Sequence, residues 1–477
     1  ATAGTFHFAA EMKALLAAGS VPALDKRSLI EWFLYRNVET FSPDTLLEGV
    51  RVLPAGHLLV IEGGKPPVVR EYYSPDAMIL ESEYERLRRS GARAVVAEFD
   101  RLLGECVSAR LVSDVPVGTL CSGGVDSSLI TAFAARVRKD VTAFNVSIAG
   151  YPDLDEGPYA RVLARHLGIE LVVHELTAED YRAALPSVIA LCDSPLAHPN
   201  TVAYHLICKD ARERGTVVLL SGEGADELFG GYGWRYRRGR SLLRAGRWFG
   251  RLPRRIRRAL DFLSYGAAGM PATSLHFDSL LPPTVQVIDR YGRFRWTRKC
   301  ADAYRFVPGR VERAVLGTML SDLGDFLEPL LQRLDRTSMG ASVECRVPFL
   351  DHRLVHRAIN LPLGYRLGRR GDKWIVRHIA SRHLPGRIRW RRKTGFPLPV
   401  ADYIRPFANA DLFRGGFCEE AIGIGGEVLD ELLGSWTENV FAFFNLVGLE
   451  FWGRMVLMGE SVERLEERVA RLEAEAR

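Results

Sequence analysis

The sequence predicts an α/β fold in which a doubly wound parallel sheet is followed by a helical C-terminal part. Short apolar strands alternate with amphipathic helices between residues 115 and 221, as in parallel sheets covered on both faces. The predicted elements are strand 115–121, helix 126–138, strand 141–148, helix 157–167, strand 170–175, helices 178–191 and 201–213, and strand 216–221. From about residue 240 to 458 the pattern is mainly helical.

A glycine-rich turn, SGGVDSS at residues 122–128, follows the first predicted strand. Gly123 and Gly124 allow a tight turn, and Ser122, Ser127 and the first amides of the next helix can face a phosphate. Asp126 would repel a bare phosphate, which implies an intervening cation, most simply Mg²⁺. The spacing differs from that of a P-loop. The alternative is a serine- and glycine-containing turn that only caps a helix.

A second glycine-rich turn, SGEGADELFGGY at residues 221–232, follows the last predicted strand and carries Glu223, Asp226 and Glu227. Clustered acids raise one another's pKa unless a cation holds them. Asp226 is therefore a candidate second ligand for the metal at Asp126, with Glu223 on the substrate side. Because parallel sheets bind ligands at the carboxyl ends of their strands, we expect the two turns to form one site. An acidic helix N-terminus is the alternative.

Three cations further along the chain, Lys373, Arg377 and Lys393, lie in motifs that could close over a polyphosphate. Each by itself is typical of an ordinary surface cation. Together with two acidic turns they form a charge-complementary set for Mg·ATP and pyrophosphate.

The motifs SGGVDSS, SGEGADELFGGY, RVPFLDHR and RRKTGF, in this order, resemble those of the glutamine-hydrolysing asparagine synthetase family. The resemblance implies an ATP pyrophosphatase domain of the HUP type at 93–458. It also implies that the tail of an N-terminal-nucleophile glutaminase domain lies at 1–75, a linker at 76–92 and a charged C-terminal helix at 459–477.

The same resemblance implies a reaction in which ATP adenylates a carboxylate and ammonia then displaces AMP to give an amide. Glu223 and Lys393 would be catalytic, and Mg²⁺ would bind Asp126 and Asp226. The implied ATP-binding residues are Cys121, Ser122, Gly123, Gly124, Asp126, Ser127, Val146, Ser221, Gly222 and Lys373.

The N-terminal segment has strand-like stretches at 6–8 and 56–61, but it has no cysteine that could serve as the family's glutaminase nucleophile. The first cysteine is Cys106. We expect the chain to be a fragment of a longer protein that uses glutamine, the alternative being a degenerate glutaminase half. As given, the chain should depend on free ammonia.

The resemblance makes aspartate the first candidate substrate. Glu223 stands where ring-closing relatives carry a tyrosine, which favours an external ammonia nucleophile over ring closure. Residues 192–201, expected to line the pocket, do not match the housekeeping enzymes, so another carboxylate or a cyclisation stays open. A tRNA-modifying adenylating enzyme is the rival from another class, although no nucleic-acid partner is expected. A catalytically dead scaffold is disfavoured while the four central residues, Asp126, Glu223, Asp226 and Lys393, are intact.

The bulk composition predicts two or three domains in 477 residues. Seven scattered cysteines without a CxxC pair, and no long apolar run, favour a cytoplasmic protein without disulfides or a membrane span. Eleven arginines and no acid lie between Trp234 and Arg258, forming either a solvated helical hairpin or a surface for an anionic partner. The apolar stripe of the C-terminal helix could pair with another helix, for example in a homodimer, or the helix could be solvated.

Overall fold

A parallel sheet of five strands organises the part of the chain that this computed structural model describes, residues 5–19, 21–35, 43–233, 236, 298–368, 371–391 and 395–476. The strands are β1 (His57–Val60), β2 (Val68–Glu71), β3 (Val117–Leu120), β4 (Thr142–Ile148), β5 (Leu171–Leu176), β6 (Val218–Leu220) and β7 (Glu344–Arg346). The α-helices of the sheet domain before residue 230 are α3 (Glu81–Arg89), α4 (Ala92–Arg110), α5 (Val125–Val137), α6 (Gly157–Leu167), α7 (Ala178–Cys192), α8 (Thr201–Glu213) and α9 (Ala225–Phe229), after α1 (Met12–Ala18) and α2 (Lys26–Tyr35). Every predicted strand and helix between residues 115 and 221 is therefore present.

The order of strands across the sheet is β5–β4–β3–β6–β7, and all neighbouring pairs are parallel. The chain runs outward from β3 to β4 and β5, then returns to place β6 on the other side of β3. The direction of winding thus reverses between β3 and β6, and open parallel sheets bind ligands at such a switch point. The turns that follow Leu120 and Leu220 both begin there.

Apolar side chains bury both faces of the sheet, as expected of parallel strands. Along β6, Val218 and Leu220 belong to a core with α4 and α5, whereas Leu219 belongs to a core with α7 and α8. This alternation is the two-residue period of a strand, and it holds the strand ends in fixed positions on a packed support.

The C-terminal part is mainly helical, as predicted. The α-helices with both ends among the described residues are α10 (Arg310–Asp325), α11 (Leu327–Met339), α12 (His352–Ile359), α13 (Leu363–Arg366), α14 (Trp374–Ala380), α15 (Gly386–Arg389), α16 (Val400–Ile404), α17 (Ala410–Phe413), α18 (Gly426–Ser435), α19 (Val440–Val456) and α20 (Val462–Ala476). Within the described residues of this part, β7 is a strand that was not predicted from the sequence. This strand has three residues, with charged Glu344 and Arg346 at its ends, and therefore no apolar run marks it.

The N-terminal segment contains one of its two predicted strands. Residues 56–61 include β1, which pairs antiparallel with β2. Residues 6–8 do not form a strand, and Phe6 and Phe8 are 42% and 78% exposed. No strand in the described part of the chain runs beside them, and an isolated strand has no partner for its backbone groups.

The segment predicted as a polar linker, 76–92, is mostly helical and packed. A 3₁₀ turn at Pro75–Met78 precedes α3, whose Tyr84 and Leu87 are buried. These two side chains are three residues apart and lie on one helical face.

The apolar stripe of α20 packs within its own chain. Leu465, Val469 and Leu472 are buried in the core that contains α7, and Arg182 of α7 pairs with Glu473. The stripe is therefore covered within the chain, which differs from both expectations, a solvated helix and a helix paired with another chain.

None of the helices in the described residues has both the length and the apolar character needed to cross a bilayer. All seven cysteines are free.

Candidate active site

The first turn begins with Cys121, which continues the hydrogen bonding of β3 with β4 for one more residue. The Cys121 N–H donates to the Phe144 carbonyl at 2.8 Å, and Asn145 Nδ2 donates to the Cys121 carbonyl, also at 2.8 Å. Val146, two residues beyond Phe144, is buried past the end of β3. Burial raises the pKa of Cys121 to about 11, so its thiol stays protonated near neutral pH.

The hydroxyls predicted to face a phosphate lie together at the start of α5. Ser122 Oγ is 3.1 Å from Ser127 Oγ and accepts a hydrogen bond from the Gly124 N–H at 3.3 Å. Gly123 has φ +71°, and a Cβ there would lie 2.5 Å from the Cβ of Tyr159. Both the backbone angle and the contact with Tyr159 therefore require glycine.

The second turn lies directly against the first. The Ser221 N–H donates to the Arg346 carbonyl of β7 at 2.9 Å, which sets the start of the turn. A Cβ on Gly222 would lie 2.8 Å from the Ser127 nitrogen, so only glycine allows this approach. The predicted meeting of the two turns is thus present.

Lys373 joins the acids of the two turns. Its Nζ lies 2.6 Å from Asp226 Oδ1 and also pairs with Asp126 Oδ2. The lysine is 2% exposed, and its backbone is left-handed at φ +53°, a conformation that costs a non-glycine residue about 1–3 kcal/mol. Burial by itself lowers the pKa of Lys373, but Asp126 and Asp226 outweigh it and the net pKa is raised. The ammonium is therefore charged.

The donor set at this point fits a magnesium ion bound together with phosphates. Asp126 Oδ1 is buried and, among the described residues, has no hydrogen-bond partner. No cluster of three or more metal-binding side chains is found in the described ranges. Mg²⁺ at nucleotide sites commonly binds one or two carboxylates and completes its shell with phosphate and water. Asp126 and Asp226 meet that requirement.

Comparison with known families matches residues 98–439, more than half of the chain, to the family described as asparagine synthase. The chain belongs to the asparagine synthase family. The match spans the sheet, both turns and most of the C-terminal helices.

Individual relatives of this asparagine synthase family member have low sequence identity to it, and two of the three described here match over most of the chain. The chain is similar to glutamine-hydrolyzing asparagine synthetase 1 of Bacillus subtilis, at 28% identity over 84% of this chain and 64% of that protein. It is 26% identical to glutamine-hydrolyzing asparagine synthetase 3 of the same organism, over 82% of this chain and 61% of that protein. Asparagine synthetase B of Escherichia coli is 32% identical over 38% of this chain and 34% of its own length. The chain thus spans less than two thirds of these relatives.

A second cation fixes Glu223, three residues before Asp226. Glu223 Oε1 accepts hydrogen bonds from Arg333 Nη2 at 2.9 Å and from the Tyr204 hydroxyl at 3.1 Å. Arg333 Nη1 donates to Asn200 Oδ1 at 2.9 Å, and the guanidinium lies 4.5 Å from the centre of the Tyr204 ring. Burial, and then the charge of Glu223, raise the pKa of Tyr204, so the phenol remains a donor.

The two residues that bind Glu223, Tyr204 and Arg333, were not predicted from the sequence, whereas Asn200, which binds Arg333, falls within the stretch 192–201 expected to line the pocket. Asn200 and Tyr204 lie at the start of α8, and Arg333 lies in α11. No local pattern marks them, because they meet only through packing of α8 against α11.

The third acid of the second turn, Glu227, is buried beneath the site at 1% exposure. The Tyr232 hydroxyl donates to its Oε1 at 2.7 Å. Burial, reinforced by the charge of Asp226, raises the pKa of Glu227 to about 8. The predicted mutual perturbation of clustered acids therefore applies to Glu227.

A cavity of about 390 Å³ lies between the N-terminal segment and α11. The residues 192–198 that were expected to line a substrate pocket line this cavity, together with Thr201 and Arg333. Because Arg333 also contacts Glu223, the cavity adjoins the group formed by Arg333, Tyr204 and Glu223, which we call the Arg333 cluster.

Two of the sequence predictions lie outside the described residues. These are the catalytic role of Lys393 and the arginine-rich stretch at 235–258. Arg377 is described, and its guanidinium donates to the backbone carbonyls of Asp372, Arg389 and Arg391.

Proposed function

We propose that this chain catalyses ATP-dependent synthesis of an amide from a carboxylate. A carboxylate oxygen of the substrate attacks the α-phosphorus of ATP, and the bond from that phosphorus to the bridging oxygen breaks to release pyrophosphate. The nitrogen of ammonia then attacks the acyl carbon of the adenylate. The carbon–oxygen bond to AMP breaks, and the nitrogen loses a proton.

The observation that carries this proposal is the meeting of Asp126 and Asp226 on one buried ammonium at the switch point of the sheet. Two acids beside phosphate-binding turns require positive charge when a nucleotide is present. Asp126 and Asp226 would hold Mg²⁺, which when bound neutralises phosphate charge. Lys373 keeps both carboxylates oriented, and by family resemblance Lys393 adds charge near the reacting groups.

The ATP-binding role assigned to the two turns is supported by their shape. Ser122 contacts Ser127 and Gly124, and Gly222 lies against Ser127 at the start of α5, with Gly123 and Ser221 as their chain neighbours. A helix N-terminus and adjacent hydroxyls favour a phosphate group. Cys121, directly after β3, and Val146, the third residue from the end of β4, would contact the nucleoside.

Glu223 is proposed to receive the proton that the attacking ammonia loses. Arg333 and Tyr204 both bind Oε1, which orients the carboxylate and leaves Oε2 as the atom to face the nucleophile. Proton transfer by an oriented carboxylate contributes about 10²–10⁴-fold in rate. This role belongs to the second half of the reaction only.

The substrate is proposed to be the side-chain carboxylate of aspartate, in keeping with the names of the relatives. Another carboxylate is the second candidate, because residues 192–198 line a cavity beside Glu223. Ammonia is the proposed nitrogen donor of the chain as given, and glutamine that of a longer protein.

The test is a panel of carboxylates incubated with the chain, Mg·ATP and ammonium, measured as AMP and amide formed. We expect one AMP per amide with aspartate. Equal turnover with a different acid would contradict the assignment of aspartate as the substrate. AMP formation that requires added tRNA would overturn the proposed amide synthesis.

A further inference from the structure

Arg391 connects the glycine-rich turn to the C-terminal part of the chain. Its Nη1 donates to the Ser122 carbonyl at 3.1 Å, and its Nη2 pairs with Glu156. The guanidinium also lies 4.0 Å from the centre of the Tyr159 ring. Tyr159 is the residue against which Gly123 packs, so one arginine contacts both the Ser122 carbonyl and the side chain that packs on Gly123.

This contact is buried. The side chains of Arg391 and Glu156 are only 10% and 7% exposed. A buried arginine–carboxylate pair has fixed geometry, because a planar guanidinium donates in set directions. The pair is therefore suited to hold backbone in position, whereas an exposed ion pair contributes little.

The backbone of Arg391 is itself held in place. Arg377 of α14 donates to the Arg391 carbonyl from both Nη atoms at 3.2 Å and to the Asp372 carbonyl from Nε at 3.0 Å. Asp372 immediately precedes Lys373. The lysine between the two acids and the arginine behind the turn thus belong to one connected support.

We propose that Arg391, held by Glu156, is a positioning residue that sets the nucleotide-binding conformation of the Ser122–Gly123 peptide. A peptide group is planar, so fixing the Ser122 carbonyl also fixes the orientation of the Gly123 amide and the path of the chain into α5. This inference rests on the proposed binding of ATP at the turn. Neither residue was singled out for such a role by the sequence motifs.

The experiment compares ATP binding, measured by calorimetry with Mg·ATP, in the full chain and in Arg391→Ala. We expect the dissociation constant to rise about ten- to hundredfold, the effect of losing a charged hydrogen bond. Methylguanidinium in solution should restore part of the affinity. Arg391→Lys should not, because one ammonium cannot bind both the carbonyl and Glu156 at the guanidinium positions.

The matched control is Arg387→Ala, since Arg387 is exposed, lies over the same Tyr159 ring at 5.4 Å and, within the described part of the chain, makes no hydrogen bond to the turn. Its affinity should stay within about twofold of the unmodified chain. The double variant E156Q/R391A should bind ATP as weakly as R391A alone, because the two side chains act as one unit.

Two outcomes separate failure of this inference from failure of the proposed function. If the unmodified chain binds no Mg·ATP, the proposed function fails. If the unmodified chain binds and folded R391A binds equally well, the inference is wrong. Weak binding by R391A that methylguanidinium leaves unchanged, with a lowered unfolding temperature, would show only a structural role and would also overturn it.

Discussion

The two buried cations of the site, Lys373 and Arg333, hold acidic residues of the second turn in different ways. Lys373 places one ammonium between two carboxylates from separate turns. Arg333 uses two nitrogens of its fork to bind one carboxylate, Glu223, and one amide, Asn200. The first arrangement concentrates charge, and the second fixes direction.

This difference matches the two halves of the proposed reaction. An ammonium is a compact point charge, whereas a guanidinium is a rigid planar donor. Phosphate chemistry requires compensating positive charge at a point, which Lys373 would supply together with the Mg²⁺ that Asp126 and Asp226 are proposed to hold. Proton transfer requires one carboxylate in a set orientation, which Arg333 and Tyr204 provide. Changes in each cluster should therefore affect different steps.

The largest expected effect is in the Arg333 cluster. Glu223→Ala should lower amide formation by about 10²–10⁴-fold, because the oriented proton acceptor is removed. ATP–pyrophosphate exchange with the carboxylate substrate should persist, since the Lys373 cluster is unchanged. Both rates are measured on the same preparation. A normal yield of amide would show that Glu223 has no part in the second step.

The next effect concerns the Lys373 cluster, formed by Lys373, Asp126 and Asp226, and should appear in the first step of the reaction. Asp126→Asn should reduce pyrophosphate release by about 10²–10³-fold, the loss associated with one preorganised charge. Asp140→Asn, an exposed acid just beyond the other end of α5, is the matched control and should exchange normally. Unaltered exchange in Asp126→Asn would count against both the metal assignment and the division of roles.

The smallest effect concerns Glu227, which directly follows Asp226 in the second turn. Its pKa is raised from 4.5 to about 8 by burial and by Asp226. The folded state therefore keeps a proton that the unfolded state loses, so this contribution to stability is complete below about pH 4.5 and is lost as the pH rises through 8. Glu227→Gln should lower the dependence of the unfolding temperature on pH between 5 and 8.

Thermal unfolding without ATP or magnesium measures this dependence. Glu466→Gln, at an exposed position of α20, serves as the control and should keep the slope of the unmodified chain. An identical slope in Glu227→Gln would mean that Glu227 is ionised throughout that range in the folded protein.

Local pattern was sufficient to predict most of the sheet domain. The apolar runs at 141–148 and 170–175 and the amphipathic helix at 157–167 have their expected structures because propensity and burial agree there. The two turns could be recognised because glycine, serine and acid recur at the ends of strands. For the same reason, Asp126 and Asp226 could be predicted to meet.

What the sequence could not provide is the set of partners that meet through packing of distant elements. Arg333 and Arg391 each bind a residue of a turn that lies more than 100 positions away in the sequence. Tyr204 is 19 residues from its partner Glu223, and the two lie on different elements. Lys373 was predicted to bind ATP, but its position between both acids follows from the path of α14. The strand β7 has no pattern of its own and forms because β6 offers an open edge.

The parallel edge formed by β7 has a consequence for the order in which the chain acquires its structure during synthesis. The Ser221 amide binds Arg346, the two acids pair with Lys373, and the Ser122 carbonyl binds Arg391. Each of these partners is synthesised after both turns. At ordinary translation speeds, these partners are synthesised roughly six to thirty seconds after the second turn. A nascent polypeptide halted before that stage would contain both glycine-rich motifs and still lack the side chains and carbonyl that fix them.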